Sequence, residues 1–280
     1  MLRVCLLILA LGSVIATGQE RRIEEIERAS GGRIGVVAID SKSGRRIEHR
    51  ENERFPMCST FKTLAVSAAL QRVDQGKEKP DRFMPYSERD LLAYAPVTKQ
   101  HVGEGGMTVG ALCEAAIAQS DNTAANLVLQ AIGGPNSVTQ FTRSIADSVT
   151  RLDRKEPELN DWQPGDERDT TTPAAMCEDL RRLLQSDILS KESRQRLDDW
   201  LQRNETGAAL VRAGVPSGWR VGDKTGRSGN GATNDVAVIY PPGGAPIFVA
   251  IYAFGGSNEQ RSAAIASVAR TVCELFRPAR

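Results

Sequence analysis

Strand-like sequence occupies both ends of this 280-residue chain and helical sequence fills its middle, a distribution that few folds accommodate. Residues 33–39 alternate and are rich in β-branched side chains, Ser41-Lys42-Ser43-Gly44 makes a turn, and residues 45–50 return as a partner strand. Residues 219–223, 234–240 and 245–254 read as three more strands, with Pro241-Pro242-Gly243-Gly244 between the last two. Apolar spacing predicts helices over 61–73, 109–118, 122–131 and 173–185 in the middle of the chain. Two further helices are expected at the ends, over 19–29 and 259–276, the second with Ile265, Val268, Val272 and Leu275 along one face. The predicted fold is α/β of the α+β kind: a five-stranded antiparallel sheet built from both chain ends with flanking terminal helices, plus an inserted all-α lobe. The α/β lobe is expected to comprise residues 19–54 and 205–280, and the all-α lobe residues 55–204.

With 40% hydrophobic and 25% charged residues, the chain has an ordinary globular composition and length enough for one large core or two lobes. A formal charge of +1 gives no electrostatic footprint for nucleic acid or an anionic membrane. Met1-Leu2-Arg3 followed by an apolar run through Leu11, then the small residues Ala16-Thr17-Gly18, predicts a signal peptide over residues 1–18 and export to the periplasm or medium. The mature chain is expected to be monomeric and free of the membrane. His49 and His101 are the only histidines and no ligand spacing surrounds them, so neither a metal nor another cofactor is expected.

Four fragments carry chemistry. Ser59-Thr60-Phe61-Lys62 opens a nearly all-apolar helix, which sets a hydroxyl in the positive field of a helix N-terminus and a lysine on the same face. Flanked by Phe61, Leu64, Ala65 and Val66, that lysine is largely dehydrated, a condition that lowers its pKa and lets it act as a base. Ser120-Asp121-Asn122 adds a second hydroxyl and reads equally as a helix cap, two roles that are compatible. Lys224-Thr225-Gly226 follows a strand and supplies a cation and a hydroxyl suited to a substrate carboxylate, the glycine allowing close backbone approach. Arg154-Lys155-Glu156-Pro157-Glu158-Leu159-Asn160 brings a carboxylate. A Ser-x-x-Lys alone arises about once by chance in a chain this long, whereas each three-residue motif is expected at roughly a few hundredths.

In kind and order these fragments resemble the class A serine β-lactamases, over nearly the whole chain from Arg33 to the C-terminal helix. The resemblance implies a metal-independent hydrolase that opens the β-lactam ring of antibiotics through an acyl-enzyme on Ser59, conferring antibiotic resistance. It implies Ser120 as proton shuttle to the leaving nitrogen, Asn122 as ligand of the substrate's side-chain amide, and Glu156 with Asn160 as the pair that holds the hydrolytic water. By the same pattern the Arg227 N–H joins Ser59 N–H as oxyanion donor, Tyr94 stands at the pocket rim, and Arg154 pairs with Asp169 to close a long loop. Lys62 and Glu156 both remain candidates for the base of the acylation step.

The chain departs from the family pattern at several points. Position 227 is usually small, and Thr233 and Leu210 stand where relatives place an arginine for the substrate carboxylate, leaving Arg227 and Arg261 as candidates. Cys113 and Cys58 each match half of a family disulfide, but Val66 and Ser228 occupy the partner positions, so buried free thiols are expected. A DD-peptidase of the cell wall and a penicillin sensor share the first three fragments, and a serine-dependent glutaminase shares the architecture. The Glu156 loop argues against all three.

Overall fold

The computed structural model describes Gly18 and residues 21–277; the rest of the expected signal peptide lies outside the described residues. Nine strands are present among them: β1 (Gly32–Asp40), β2 (Arg46–His49), β3 (Phe55–Pro56), β4 (Phe83–Pro85), β5 (Gly106–Thr108), β6 (Thr170–Thr171), β7 (Arg220–Arg227), β8 (Ala232–Tyr240) and β9 (Ile247–Gly255). The helices are α1 (residues 21–30), α2 (Phe61–Asp74), α3 (Val109–Ala118), α4 (Asn122–Ile132), α5 (Pro135–Ser144), α6 (Pro173–Gln185), α7 (Lys191–Gln202), α8 (Val211–Gly214) and α9 (Asn258–Leu275). The long strands form one antiparallel sheet in the order β2-β1-β9-β8-β7, so the first strand of the chain lies in the sheet beside its last. Two small pairings, β3 with β6 and β4 with β5, sit within the otherwise helical middle.

Strand alternation divides the sheet between two cores. Ile34, Val36 and Ala38 of β1, with Val249 and Ile251 of β9, meet Ile23 of α1 and Ile265, Val268 and Val272 of α9. Val37 and Ile39, with Phe248, Ala250 and Tyr252, face the helical lobe, where they join Phe61 and Leu64 of α2 and Met176 and Leu180 of α6. Both faces are covered, so β1 is buried on both sides from Ile34 to Ile39 where alternation was expected.

Every residue of α2 from Phe61 to Leu70 is buried. A helix apolar all round belongs in the middle of a lobe, and its N-terminal end emerges at the cleft between lobes. The sheet is fastened there by Asn234 of β8, whose Nδ2 donates to the carbonyls of Pro56 and Met57 at 2.8 and 3.2 Å.

Candidate active site

Ser59 lies two residues before the start of α2, in a 3-10 turn over Cys58–Thr60. Cys58 holds φ +46° and Ser120 φ +56°, left-handed values that cost on the order of 1–3 kcal/mol each in residues with a side chain. Cys58 precedes the nucleophile and is itself buried, whereas Ser120 lines the cleft.

The Ser59 Oγ donates to Glu156 Oε1 at 3.2 Å, and Lys62 Nζ stands 3.3 Å from the same oxygen. Lys62 is fully buried; its ammonium also donates to the Ser120 carbonyl at 2.7 Å, Asn122 Oδ1 at 2.6 Å and Ser120 Oγ at 3.3 Å. Burial pushes Lys62 below the ordinary lysine value, and the neighbouring Glu156 carboxylate pulls the other way. Lys224, also fully buried, donates to Ser120 Oγ at 2.9 Å from the opposite wall. Its pKa is brought down to about 7 by burial and by the charge of Lys62, against Asp223, Asp235 and Glu156. Ser120 Oγ therefore bridges two lysines whose protons are both loosened.

Glu156 is gripped by its backbone: Asn126 of α4 donates to its carbonyl at 2.8 Å and accepts from its N–H at 3.0 Å. Asn160 Nδ2 donates to Glu156 Oε2 at 2.7 Å, while Asn160 Oδ1 is buried without a partner among the described residues. The neck of this loop is closed by Arg154 Nε donating to Asp169 Oδ2 at 2.5 Å. Asp121 serves the scaffold, accepting from Val97 N, Thr98 N and, as the cap of α4, Ala124 N. The cap is thus Asp121, which leaves Ser120 to the cleft.

On the other wall, β7 continues through Lys224-Thr225-Gly226 to Arg227, past the expected end at Asp223, because β8 pairs with it along that whole length. A Cβ built on Gly226 would lie 2.8 Å from Met57 O and 3.1 Å from Ser59 N, so only glycine lets this edge approach the serine turn. Since Ser228 N donates to Ala232 O, alternation turns the Arg227 N–H toward the open edge of the sheet, on the Ser59 side.

The cavity between the walls has a volume of about 380 Å³ and is lined by Ser59, Tyr94, Ser120, Asn122, Glu156, Asn160, Thr206, Thr225, Gly226 and Arg227. The site residues expected from sequence line it except Lys62 and Lys224, which lie buried beneath, and Arg261. Tyr94 is half exposed at the rim. Arg227 is exposed, its guanidinium donating to Asn258 Oδ1 at 2.6 Å. Arg261 does not line the cavity: it is buried, donating to Thr233 Oγ1 at 3.0 Å and to the Gly256 carbonyl at 2.6 Å, and that geometry corrects its candidacy for the substrate carboxylate.

Thr206 was not apparent from the sequence. It reaches Thr225 Oγ1 at 2.5 Å and Asn204 Oδ1 at 2.7 Å, and Asn204 in turn donates to Asp223 Oδ2 at 2.8 Å, bracing the lysine wall from below. Cys58, Cys113, Cys177 and Cys273 are buried and free. Among the described residues no group of three or more His, Cys, Asp and Glu side chains is arranged to hold a metal ion, and no helix is long and apolar enough to cross a membrane.

A family model described as the beta-lactamase enzyme family matches residues 19–276. Beta-lactamase L2 of Stenotrophomonas maltophilia is 51% identical over 254 residues, covering 90% of this chain and 84% of the relative. Beta-lactamase AST-1 of Nocardia asteroides is 48% identical over 257 residues, 91% of this chain and 83% of its own. Among solved structures, the ancestral (GNCA) class A β-lactamase superposes with a TM-score of 0.90 at 58% identity, covering 92% of this chain and all of that one.

Proposed function

The chain belongs to the class A serine β-lactamases, and from that membership we propose a role for each residue of the cleft. The enzyme hydrolyses the β-lactam amide of antibiotics through a serine acyl-enzyme, and so confers resistance.

Within that reaction Ser59 attacks the lactam carbonyl, and the N–H groups of Ser59 and Arg227 receive the oxyanion. The Ser59 proton passes to Glu156, which the hydroxyl meets at 3.2 Å, or to Lys62, which stands 3.3 Å from the same carboxylate oxygen. Ser120 hands a proton to the departing nitrogen, a step supported by its hydrogen bonds to both lysines. Lys224 and Thr225 meet the carboxylate that β-lactams carry, assisted at the rim by Arg227, and Asn122 binds the side-chain amide. Tyr94 borders the entrance.

Glu156 then acts as general base for deacylation, the assignment that separates turnover from a dead-end ester. The observation that carries it is the convergence of Glu156 on Ser59 Oγ through one carboxylate oxygen and on Asn160 through the other. The unpartnered Asn160 Oδ1 supplies an acceptor beside that carboxylate for one hydrogen of the attacking water. Incubating Glu156→Ala with a penicillin tests it: the variant acylates and stalls, whereas rapid full turnover would refute the role.

Export and a monomeric state are also part of the proposal, the first supported by the Met1–Leu11 segment. Mass spectrometry of the secreted protein, with cleavage near Gly18-Gln19, checks the first.

A further inference from the structure

The segment 161–168, which follows Asn160 in the Glu156 loop, has a single buried side chain, Trp162. Its indole packs edge-on against Phe254 of β9, with centroids 5.1 Å apart and planes at 81°, and its Nε1 donates to the Asp166 carbonyl at 2.6 Å. Phe254 is itself held, because the Arg33 guanidinium lies over both Phe254 and Phe55, at 6.0 and 5.6 Å from their centroids. Phe55 packs at a tilt against Tyr252, whose hydroxyl meets Thr60 Oγ1 at 3.1 Å, next to the nucleophile. The indole therefore connects the loop to the rigid floor on which Ser59 stands.

Elsewhere the tip of the loop is thinly supported. A cavity of about 220 Å³ lies between Arg33 and Arg54 on one side and Pro164, Gly165 and Asp166 on the other. Asn126 fixes the loop at Glu156 and the Arg154–Asp169 pair fixes its neck. Of these, Arg154 alone reaches the stretch beyond Asn160, donating to the Asp161 carbonyl at 3.3 Å and standing 3.9 Å from Asp166. Those contacts stay within the loop and do not tie it to the sheet, while the Asn160 amide holds one oxygen of the catalytic carboxylate. We propose that Trp162 is a positioning residue for deacylation: by clamping the loop to β9 two residues beyond Asn160, it keeps Asn160 and Glu156 aligned on the acyl-serine.

The proposal rests on Glu156 being the deacylating base. Its test compares Trp162→Ala, Trp162→Phe and, as reference, Glu156→Gln with a penicillin, measuring kcat, KM and the acylated fraction by rapid-quench intact-mass spectrometry. When only deacylation slows, kcat and KM fall together and kcat/KM is kept. For Trp162→Ala we expect both to fall about tenfold, since ångström-scale misplacement costs up to about a hundredfold. The acylated fraction rises, and Trp162→Phe restores most of kcat by keeping an aromatic edge toward Phe254. A variant merely less folded would lose kcat/KM at unchanged KM, and that result overturns the proposal. So does an unchanged acylated fraction in Trp162→Ala while Glu156→Gln accumulates adduct. If Glu156→Gln accumulates none, the deacylation role of Glu156 fails and the proposal with it. Should the alanine variant not fold, Trp162→Leu, which keeps bulk without the edge-to-face contact, decides between the same outcomes.

Discussion

Ser59 and Glu156 stand 97 positions apart in the chain, and the fold brings the serine hydroxyl and the glutamate carboxylate into a hydrogen bond of 3.2 Å. One comes from the turn that opens the central helix, the other from a loop pinned to α4, so their meeting depends on how helix and loop are each anchored. On the mechanism we propose, that contact sets Glu156 beside the acyl-serine as the base that activates the hydrolytic water. On the same proposal, Glu156 and Lys62 are the two candidates for the serine proton in the first step.

The lysine wall makes the reaction sensitive to pH. Burial lowers Lys224 to about 7, so its ammonium is charged below that pH and progressively neutral above it. Below about 7 it attracts a substrate carboxylate; as pH rises through that value the attraction is lost, and kcat/KM for an anionic penicillin falls, by up to about tenfold per pH unit. Lys224→Arg, with a guanidinium that keeps its proton, flattens this alkaline limb. An identical limb in both proteins would contradict the assignment.

Arg227 is exposed at the rim, where charges are screened and each is worth about 1 kcal/mol or less. Arg227→Ala is expected to raise KM for penicillins and cephalosporins about three- to fivefold with kcat retained, the pattern of lost uniform binding. Unchanged kinetics on both substrate classes would exclude the arginine from carboxylate binding.

Gly226→Ala places a methyl 2.8 Å from a backbone carbonyl, so strand and serine turn must move apart. The expected loss is in kcat/KM, of about a hundredfold, because both proposed oxyanion donors flank this contact. Circular dichroism near wild type would accompany it, with a thermal midpoint lowered in step with the about 1–3 kcal/mol that overpacking costs. Wild-type kinetics in this variant would show that the close approach serves packing alone.

Arg154→Ala leaves Asp169 buried without its cationic partner, a change that costs about 3–5 kcal/mol when a buried pair is broken. Urea unfolding measures the loss. A variant as stable as wild type would mean that the backbone N–H groups of Asp153 and Arg154, which also donate to Asp169, hold the loop without the guanidinium.

Much of this was legible in the residues. The strands at both ends were readable because β-branched runs bounded by turns persist whether one face is buried or two. Helix α6 was found over its full length, its cap Thr172 and Pro173 marking the start. Helix α7 was not, because Leu197, Trp200 and Leu201 are its buried large side chains amid a charged sequence. Pairing with β8, a tertiary effect, carries β7 through Lys224-Thr225-Gly226, where strand periodicity gives no signal. The four motifs named Ser59, Lys62, Lys224 and Glu156, which the fold gathers at one cleft. Thr206 and Trp162 stayed hidden, since a lone threonine or tryptophan in a loop shows no period and acquires meaning only from Thr225 or Phe254 across space.

The most direct measurement of the central claim is the mass of intact Glu156→Gln after brief exposure to a penicillin, followed over time. The account predicts a mass increase of one penicillin on the peptide containing Ser59 that persists while wild type has returned to its free mass, with steady-state turnover lowered by about 10²–10⁴-fold. An adduct that disappears as quickly as in wild type, or turnover that survives the substitution, would contradict it.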